Sequence, residues 1–328
     1  MLDSILESIR VVALPTKTDF RSVKVREVAL FEGPAGWGEF SPFLEYDANE
    51  CVPWLVSGIE AALVEAPRPL RQEISVNATI PALNTREEIV EVLSWYPGCS
   101  TVKVKVGASL REDLARIATV RELLPDAQIR IDVNGNWSVK EALASINAIH
   151  ENGGLQYVEQ PCETLEELRE LKSRLQIPVL IAGDEVIRKS ADPLGLDLQG
   201  VVDIVMLKVA PLGGIKRCLE IAKVHGLPVV VSSALDSAVG ISYGLKLAAA
   251  LPELKYACGL GTGQLLISDV AILPIVDGII AVNSVTPDVV ALNQYAISPQ
   301  RLDWWRSRVR DTWSAGAQEW VAKEGWEW

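Results

Sequence analysis

From Ile74 to Gly259 the chain repeats one unit, a short β-rich run followed by a stretch of helical period. The runs are Ile74–Ile80, Thr101–Val106, Ile129–Val133, Tyr157–Glu159, Val179–Ala182, Ile204–Lys208, Val229–Ser232 and Tyr256–Gly259, eight at a spacing of about 25 residues. Amphipathic segments such as Leu110–Leu124, Val139–Asn152 and Leu165–Arg174 lie between them. Strands that alternate with helices in this way pair in parallel through right-handed crossovers. Eight units predict an α/β fold in which the sheet closes as a (β/α)8-type barrel. A doubly wound open sheet is the competing architecture, but no Gly-rich GxGxxG or GxxxxGK turn follows the first run.

A barrel needs about 200 to 250 residues, and the chain has 328. Residues 1–72 read as a smaller α+β domain. Val23–Phe31 alternates like a strand, Gly33–Gly36 is a turn, Trp37–Phe40 a second strand and Asn49–Glu65 a helix, with Pro67 and Pro69 marking a linker. The barrel is assigned to 73–286. The remainder, 287–328, holds six of the ten tryptophans, which fits a tail packed against the barrel or the first domain.

With 49% apolar and 23% charged residues the chain has the means to bury a large core. Its net charge of −12 argues against a nucleic-acid partner, since phosphates require Lys and Arg. Five cysteines with no CxxC pair read as reduced thiols, and the N-terminus lacks a basic-then-apolar leader, so a cytoplasmic location is expected. No run approaches 18 apolar residues, so no membrane span is expected.

Catalytic groups of such barrels sit at the C-terminal ends of the strands. Period-two alternation in Thr101–Val106 puts Lys103 and Lys105 on one face and valines on the other. The valines would face the helices and the lysines the barrel interior. By the same rule Arg130, Asp132 and Asn134 share a face. Later runs end at Glu159, at Asp184-Glu185 and at Lys208. Successive strand ends therefore carry Lys105, Asp132, Glu159, Asp184 and Lys208, at spacings of 27, 27, 25 and 24 residues. Three carboxylates converging on one mouth would repel without a cation. A donor set of oxygens alone suits Mg2+, with Mn2+ possible, over zinc. Asp184 is assigned to the metal with Asp132 and Glu159, and Glu185 stands behind it. Both histidines, His150 and His225, lie away from strand ends, which leaves lysine as the general base.

Lys103-x-Lys105, Asp132, Glu159, Asp184 and Lys208 together resemble the muconate-lactonizing subgroup of the enolase superfamily, over the whole chain. The resemblance implies a capping domain completed by the C-terminal residues and a Mg2+ held by the three acids. It implies Lys105 as the base, Lys208 opposite it and Lys103 in support. Arg130-x-Asp132-x-Asn134, the short length and Ser232-Ser233 are similar to the subgroup's menaquinone-pathway dehydratases. Their reaction is the syn-dehydration of 2-succinyl-6-hydroxy-2,4-cyclohexadiene-1-carboxylate to o-succinylbenzoate. On that reading Lys103, Arg130, Asn134, Ser232, Gly259 and Gly261 contact a small carboxylate substrate. The succinyl carboxylate would be received by backbone N–H groups at 259–261, and Phe20 and Arg21 would belong to a specificity loop over 18–21. An N-succinylamino acid racemase, a dipeptide epimerase or a cycloisomerase on the same scaffold remains open, as do a metal-binding barrel without catalysis and the choice between monomer and homo-oligomer.

Overall fold

The computed structural model describes residues 1–20 and 23–328, and the side chain of Phe20 is outside what it describes. The expectations for Phe20 and Arg21 therefore lie outside the described residues. The chain begins with helix Leu2–Ser8 and an antiparallel sheet of β1 (Arg10–Phe20), β2 (Val23–Gly33) and β3 (Gly36–Phe40). Strand β1 is absent from the sequence-based reading, and Thr18 and Asp19 belong to it instead of to a loop. Pro15 explains the weak signal. Regular pairing with β2 runs from Arg10 to Pro15 and then shifts, and the polar run Lys17-Thr18-Asp19 follows the shift.

Helix Ala48–Leu63 packs on this sheet. Its start is fixed by a capping box: Asp47 accepts the N–H groups of Asn49 and Glu50 at 2.8 and 2.9 Å, and Glu50 accepts that of Asp47 at 3.1 Å. The helix lies so close to β3 that a Cβ on Gly38 would fall 2.1 Å from the Gly58 carbonyl oxygen. The tail returns to this cap through helices Pro299–Thr312 and Gln318–Glu324, which place Trp305, Val309 and Val321 in the same core as Phe31, Phe40, Trp54 and Ile59. Trp305 is fully buried, with its ring edge-on to Phe40 at 5.8 Å. Trp313, Trp320, Trp326 and Trp328 pack against the same core, whereas Trp304 is exposed.

The second layer system contains β4 (Glu73–Ser75), β5 (Ala78–Ile80), β6 (Thr101–Lys105), β7 (Gln128–Asp132), β8 (Tyr157–Glu159), β9 (Leu180–Gly183), β10 (Ile204–Lys208), β11 (Val229–Ser232) and β12 (Ile279–Ala281). Seven of these, β5 to β11, form one parallel sheet in sequential order. The ring is completed by single parallel bridges, Val76 to Cys258 and Ser232 to Gly259, so the eighth strand of the barrel is reduced to Cys258–Gly259. The expected strand Ile74–Ile80 is also divided: β4 pairs antiparallel with β12, and only β5 joins the barrel sheet.

Alternation sorts the barrel side chains as their spacing predicts. Val102, Val104, Ile129, Ile131, Val158 and Val205 are buried in one core with helix residues such as Ile117 and Ile146. Tyr157, Ala182, Ile204, Met206, Val230 and Tyr256 form a separate inner cluster. Tyr157, Ala182, Met206 and Val230 precede Glu159, Asp184, Lys208 and Ser232 by two positions, so an apolar plug underlies a polar mouth. All five cysteines are buried and free. Among the described residues no helix is long and apolar enough to cross a membrane.

Candidate active site

Each polar group at the mouth sits where a strand ends. Lys103 and Lys105 come from β6, Asp132 from the last residue of β7 and Glu159 from that of β8; Asp184 follows β9 and Lys208 ends β10. Strand register places Lys105 beside Asp132 and Asp132 beside Glu159. The five expected strand-end groups and Lys103 are therefore brought together. Lys105 Nζ donates to Asp132 Oδ2 at 2.5 Å and to Asn134 Oδ1 at 2.8 Å. Lys103 Nζ bridges two acids, 3.2 Å from Asp132 Oδ2 and 3.1 Å from Glu159 Oε2. Lys208 Nζ is bonded to Asp184 Oδ2.

Burial sets the electrostatics. Burial alone would lower the Lys103 pKa, but Glu159 and Asp132 more than offset it and hold the ammonium above the ordinary lysine range. Burial would raise Asp132, yet Lys105 and Lys103 outweigh it and keep that carboxyl well below its usual range. Glu159 goes the other way: burial first, and then the neighbouring charge of Asp132, push it up to about 7. The spread reflects three carboxylates sharing one mouth, as like charges in a poorly hydrated site must.

The residues present fit a divalent cation. Asp184 is fully buried, yet its Oδ1 accepts no hydrogen bond; Arg188 Nε lies 3.4 Å from it. The donors are carboxylate oxygens on adjacent strands, which suits a hard ion. Among the described residues no three acidic, His or Cys side chains form a closed metal cage, and each of the three carboxylates is paired with a lysine ammonium. Glu185 takes a supporting position: its Oε1 accepts from Asn134 Nδ2 at 3.2 Å and pairs with Arg188 at 2.8 Å. Asn134 and Gln160 both adopt left-handed backbone, φ 53° and 40°. This bend lets the Gln160 side-chain oxygen accept the Asp184 N–H at 2.9 Å and fix the start of the Asp184-Glu185 segment.

Some residues expected to contact substrate have other partners. Arg130 is two residues before Asp132, hence about 6.6 Å deeper at about 3.3 Å per residue. Its guanidinium is fully buried on Asn77 Oδ1, Gln156 Oε1 and the Ala257 carbonyl oxygen at 3.1, 2.7 and 2.7 Å, over the Tyr157 ring. It braces the barrel interior. Gly259 borders the cavity, but its N–H donates to the Val231 carbonyl at 2.8 Å and cannot receive a carboxylate. A Cβ on Gly261 would fall 3.1 Å from the Asn77 carbonyl oxygen and 3.2 Å from the Tyr96 ring, and Gly261 is not among the residues that border the cavity. Ser232 does border it, as do Ser233 and Thr262, whose hydroxyls are 2.7 Å apart. The roof contains Phe43, from the cap, with Ala234 and Leu235 from the loop after β11. The sequence reading singled out none of these three, nor Arg188. The enclosed volume is about 20 Å3, room for about one water, so a ring substrate requires the walls to move.

Comparison with known proteins agrees with this geometry. Residues 86–286 match the model of the enolase C-terminal domain-like family, and residues 11–62 that of the enolase N-terminal domain-like family. A relative from Mycolicibacterium smegmatis named o-succinylbenzoate synthase is 51% identical over 312 residues, covering 94% of this chain and 96% of the relative. One of the same name from Mycobacterium leprae is 50% identical, covering 95% and 93%. The muconate lactonizing enzyme from Pseudomonas fluorescens, solved with muconolactone, superposes with a TM-score of 0.73 at 22% identity, over 88% of this chain and 98% of that one, a likeness of fold. With two capping and barrel family models matched in order, and half of all positions shared over nearly the full length, the chain belongs to the o-succinylbenzoate synthases of the enolase superfamily.

Proposed function

We infer that this chain is a lyase that dehydrates 2-succinyl-6-hydroxy-2,4-cyclohexadiene-1-carboxylate to o-succinylbenzoate, a step toward menaquinone. The observation that carries the reading is the pair of lysine-bearing strands, β6 and β10, flanking three buried carboxylates in a chain half identical to synthases of that name. Lys105 Nζ removes the proton α to the ring carboxylate. Lys103 and Lys208 hold the negative charge that develops on the carboxylate oxygens. Lys105 then returns its proton to the departing hydroxyl on the same face, water leaves, and the new double bond completes an aromatic ring. Asp132, Glu159 and Asp184 would hold a Mg2+, whose positive charge would make the α-proton easier to remove. The substrate's carboxylates are drawn to local cations despite the overall charge of −12. Ser232, Ser233 and Thr262 offer hydroxyls to the succinyl arm in place of the Gly259 N–H, which is bonded to the Val231 carbonyl. Buried free cysteines support a reducing, cytoplasmic setting.

The test is an assay of purified protein with Mg2+ on the cyclohexadiene substrate and on an N-succinylamino acid. Dehydration with negligible racemisation is expected. Efficient racemisation with no detectable dehydration would sink the reading in favour of a racemase, which uses both Lys105 and Lys208 as proton carriers.

Lys208 gives a second prediction. It is a compact point charge bonded to Asp184 and 6% exposed, and a planar guanidinium does not fit that space. Lys208→Arg is expected to lose roughly 100-fold in kcat despite keeping the charge, a magnitude typical of removing one preorganised electrostatic group. A fully active arginine variant would show that Lys208 is peripheral.

A further inference from the structure

Arg26 lies on β2 of the cap, outside the cavity, and is 2% exposed. Burying a guanidinium is costly unless its donors and charge are matched. Its matches are unusual in where they lie. Nε donates to the Leu235 carbonyl oxygen at 3.0 Å, and Nη2 donates to the carbonyl oxygens of Ser41 and, at 3.5 Å, Ala234. The guanidinium carbon lies 4.6 Å from the centre of the Phe43 ring. Phe43, Ala234 and Leu235 are the roof of the active-site cavity. One side chain thus holds the cap and barrel parts of that roof together.

The surroundings keep this arrangement in register. Glu39 accepts from Ser41 Oγ at 2.5 Å on the cap side, and from Ser237 Oγ at 2.5 Å and the Gly240 N–H at 2.9 Å on the barrel side. Asp236 Oδ2 accepts the Ala234 N–H at 3.2 Å. Leu235 has left-handed backbone, φ 62°, which a leucine adopts only when its surroundings impose it. Its side chain is buried with Val12, Leu14, Val28 and Leu30 of the cap. Arg26 grips the carbonyl of this strained residue directly.

We propose that Arg26 is a positioning residue that sets the shape of the active-site roof, and through it the fit of the substrate, by holding Phe43 and the Ala234–Leu235 carbonyls in one frame. This rests on the dehydratase reading. Substrate has to enlarge a cavity of about 20 Å3, so the roof's resting position bears on binding more than on proton transfer by the strand-end lysine. Lysine cannot replace the fork, since an ammonium on a flexible stem does not span three carbonyls and stack on a ring.

The experiment is steady-state kinetics of Arg26→Lys with Phe43→Leu and the double variant, each first shown to be folded by circular dichroism. Arg26→Lys is expected to raise KM about tenfold or more while kcat stays within about threefold. The KM penalties of Arg26→Lys and Phe43→Leu are expected to be less than multiplicative, because both disturb one roof. If the lysine variant does not fold, Arg26→Gln, which keeps an amide donor without a charge to bury, carries the same expectation. A folded Arg26 variant with the wild-type KM, or penalties that multiply, overturns the proposal. A wild-type chain with no dehydration is a different failure, that of the dehydratase reading itself.

Discussion

Lys105→Ala is expected to lose at least 10² to 10⁴-fold in kcat, the range for removing one general acid–base group. The loss belongs at the upper end, because on the proposed mechanism the same group, as the neutral amine, takes the α-proton and, as the resulting ammonium, delivers it to the leaving hydroxyl. The fold should be retained. Lys105 is the last residue of β6, its side chain is 13% exposed, and the outward-facing Val102 and Val104 that anchor the strand are untouched. Metal affinity should hold or rise. Lys105 Nζ is 2.5 Å from Asp132 Oδ2, so the ammonium competes for an oxygen that the metal would use. Rapid-quench turnover, circular dichroism and Mg2+ titration together separate these effects. A variant that kept more than about a tenth of wild-type kcat would remove Lys105 from the role of base.

The lysine–acid framework was legible in the sequence because two simple rules coincide there. Period-two alternation points Lys103, Lys105, Asp132 and Glu159 inward, and position at the strand end lifts Lys105, Asp132 and Glu159 to the mouth. Alternation gives the face of a residue but not its depth: it sets Arg130 on the face of Asp132, while the guanidinium is bonded to Asn77, Gln156 and Ala257 inside the barrel. Hydropathy also cannot tell a barrel strand from a neighbour of the same composition. Ile74–Ile80 reads as one strand, yet β4 faces β12 and β5 faces β6. Tyr256–Gly259 reads as a full strand, yet it contributes only the bridges at Cys258 and Gly259. The roof left no signal at all. Arg26 meets Leu235 across 209 positions, and nothing local to either residue announces the pairing.

Asp184→Asn is expected to weaken Mg2+ binding more than about 100-fold and to abolish turnover, whereas Glu185→Gln should cost about 10 to 100-fold, the range for a residue that orients a ligand. The two acids are adjacent in sequence but differ in surroundings. Asp184 is fully buried, has an Oδ1 that accepts no hydrogen bond, and is bonded through Oδ2 to Lys208 of the neighbouring strand. The Oε1 of Glu185 is committed to Asn134 and Arg188. Burial raises the Asp184 pKa, but Lys208 and Arg188 outweigh it, so the group is a carboxylate when the metal arrives. The amide keeps the shape and removes the charge, leaving Lys208 and Arg188 opposite a neutral group. Breaking a buried pair of this kind costs about 3–5 kcal/mol, so Asp184→Asn should also melt at lower temperature when both proteins are stripped of metal. That shift distinguishes it from chelation of the wild-type chain, which should abolish turnover but leave the apo melting temperature unchanged and recover fully when Mg2+ is restored. Calorimetric titration of Mg2+ into both variants decides the assignment: retention of tight binding by Asp184→Asn with its loss in Glu185→Gln would move the third ligand from Asp184 to Glu185.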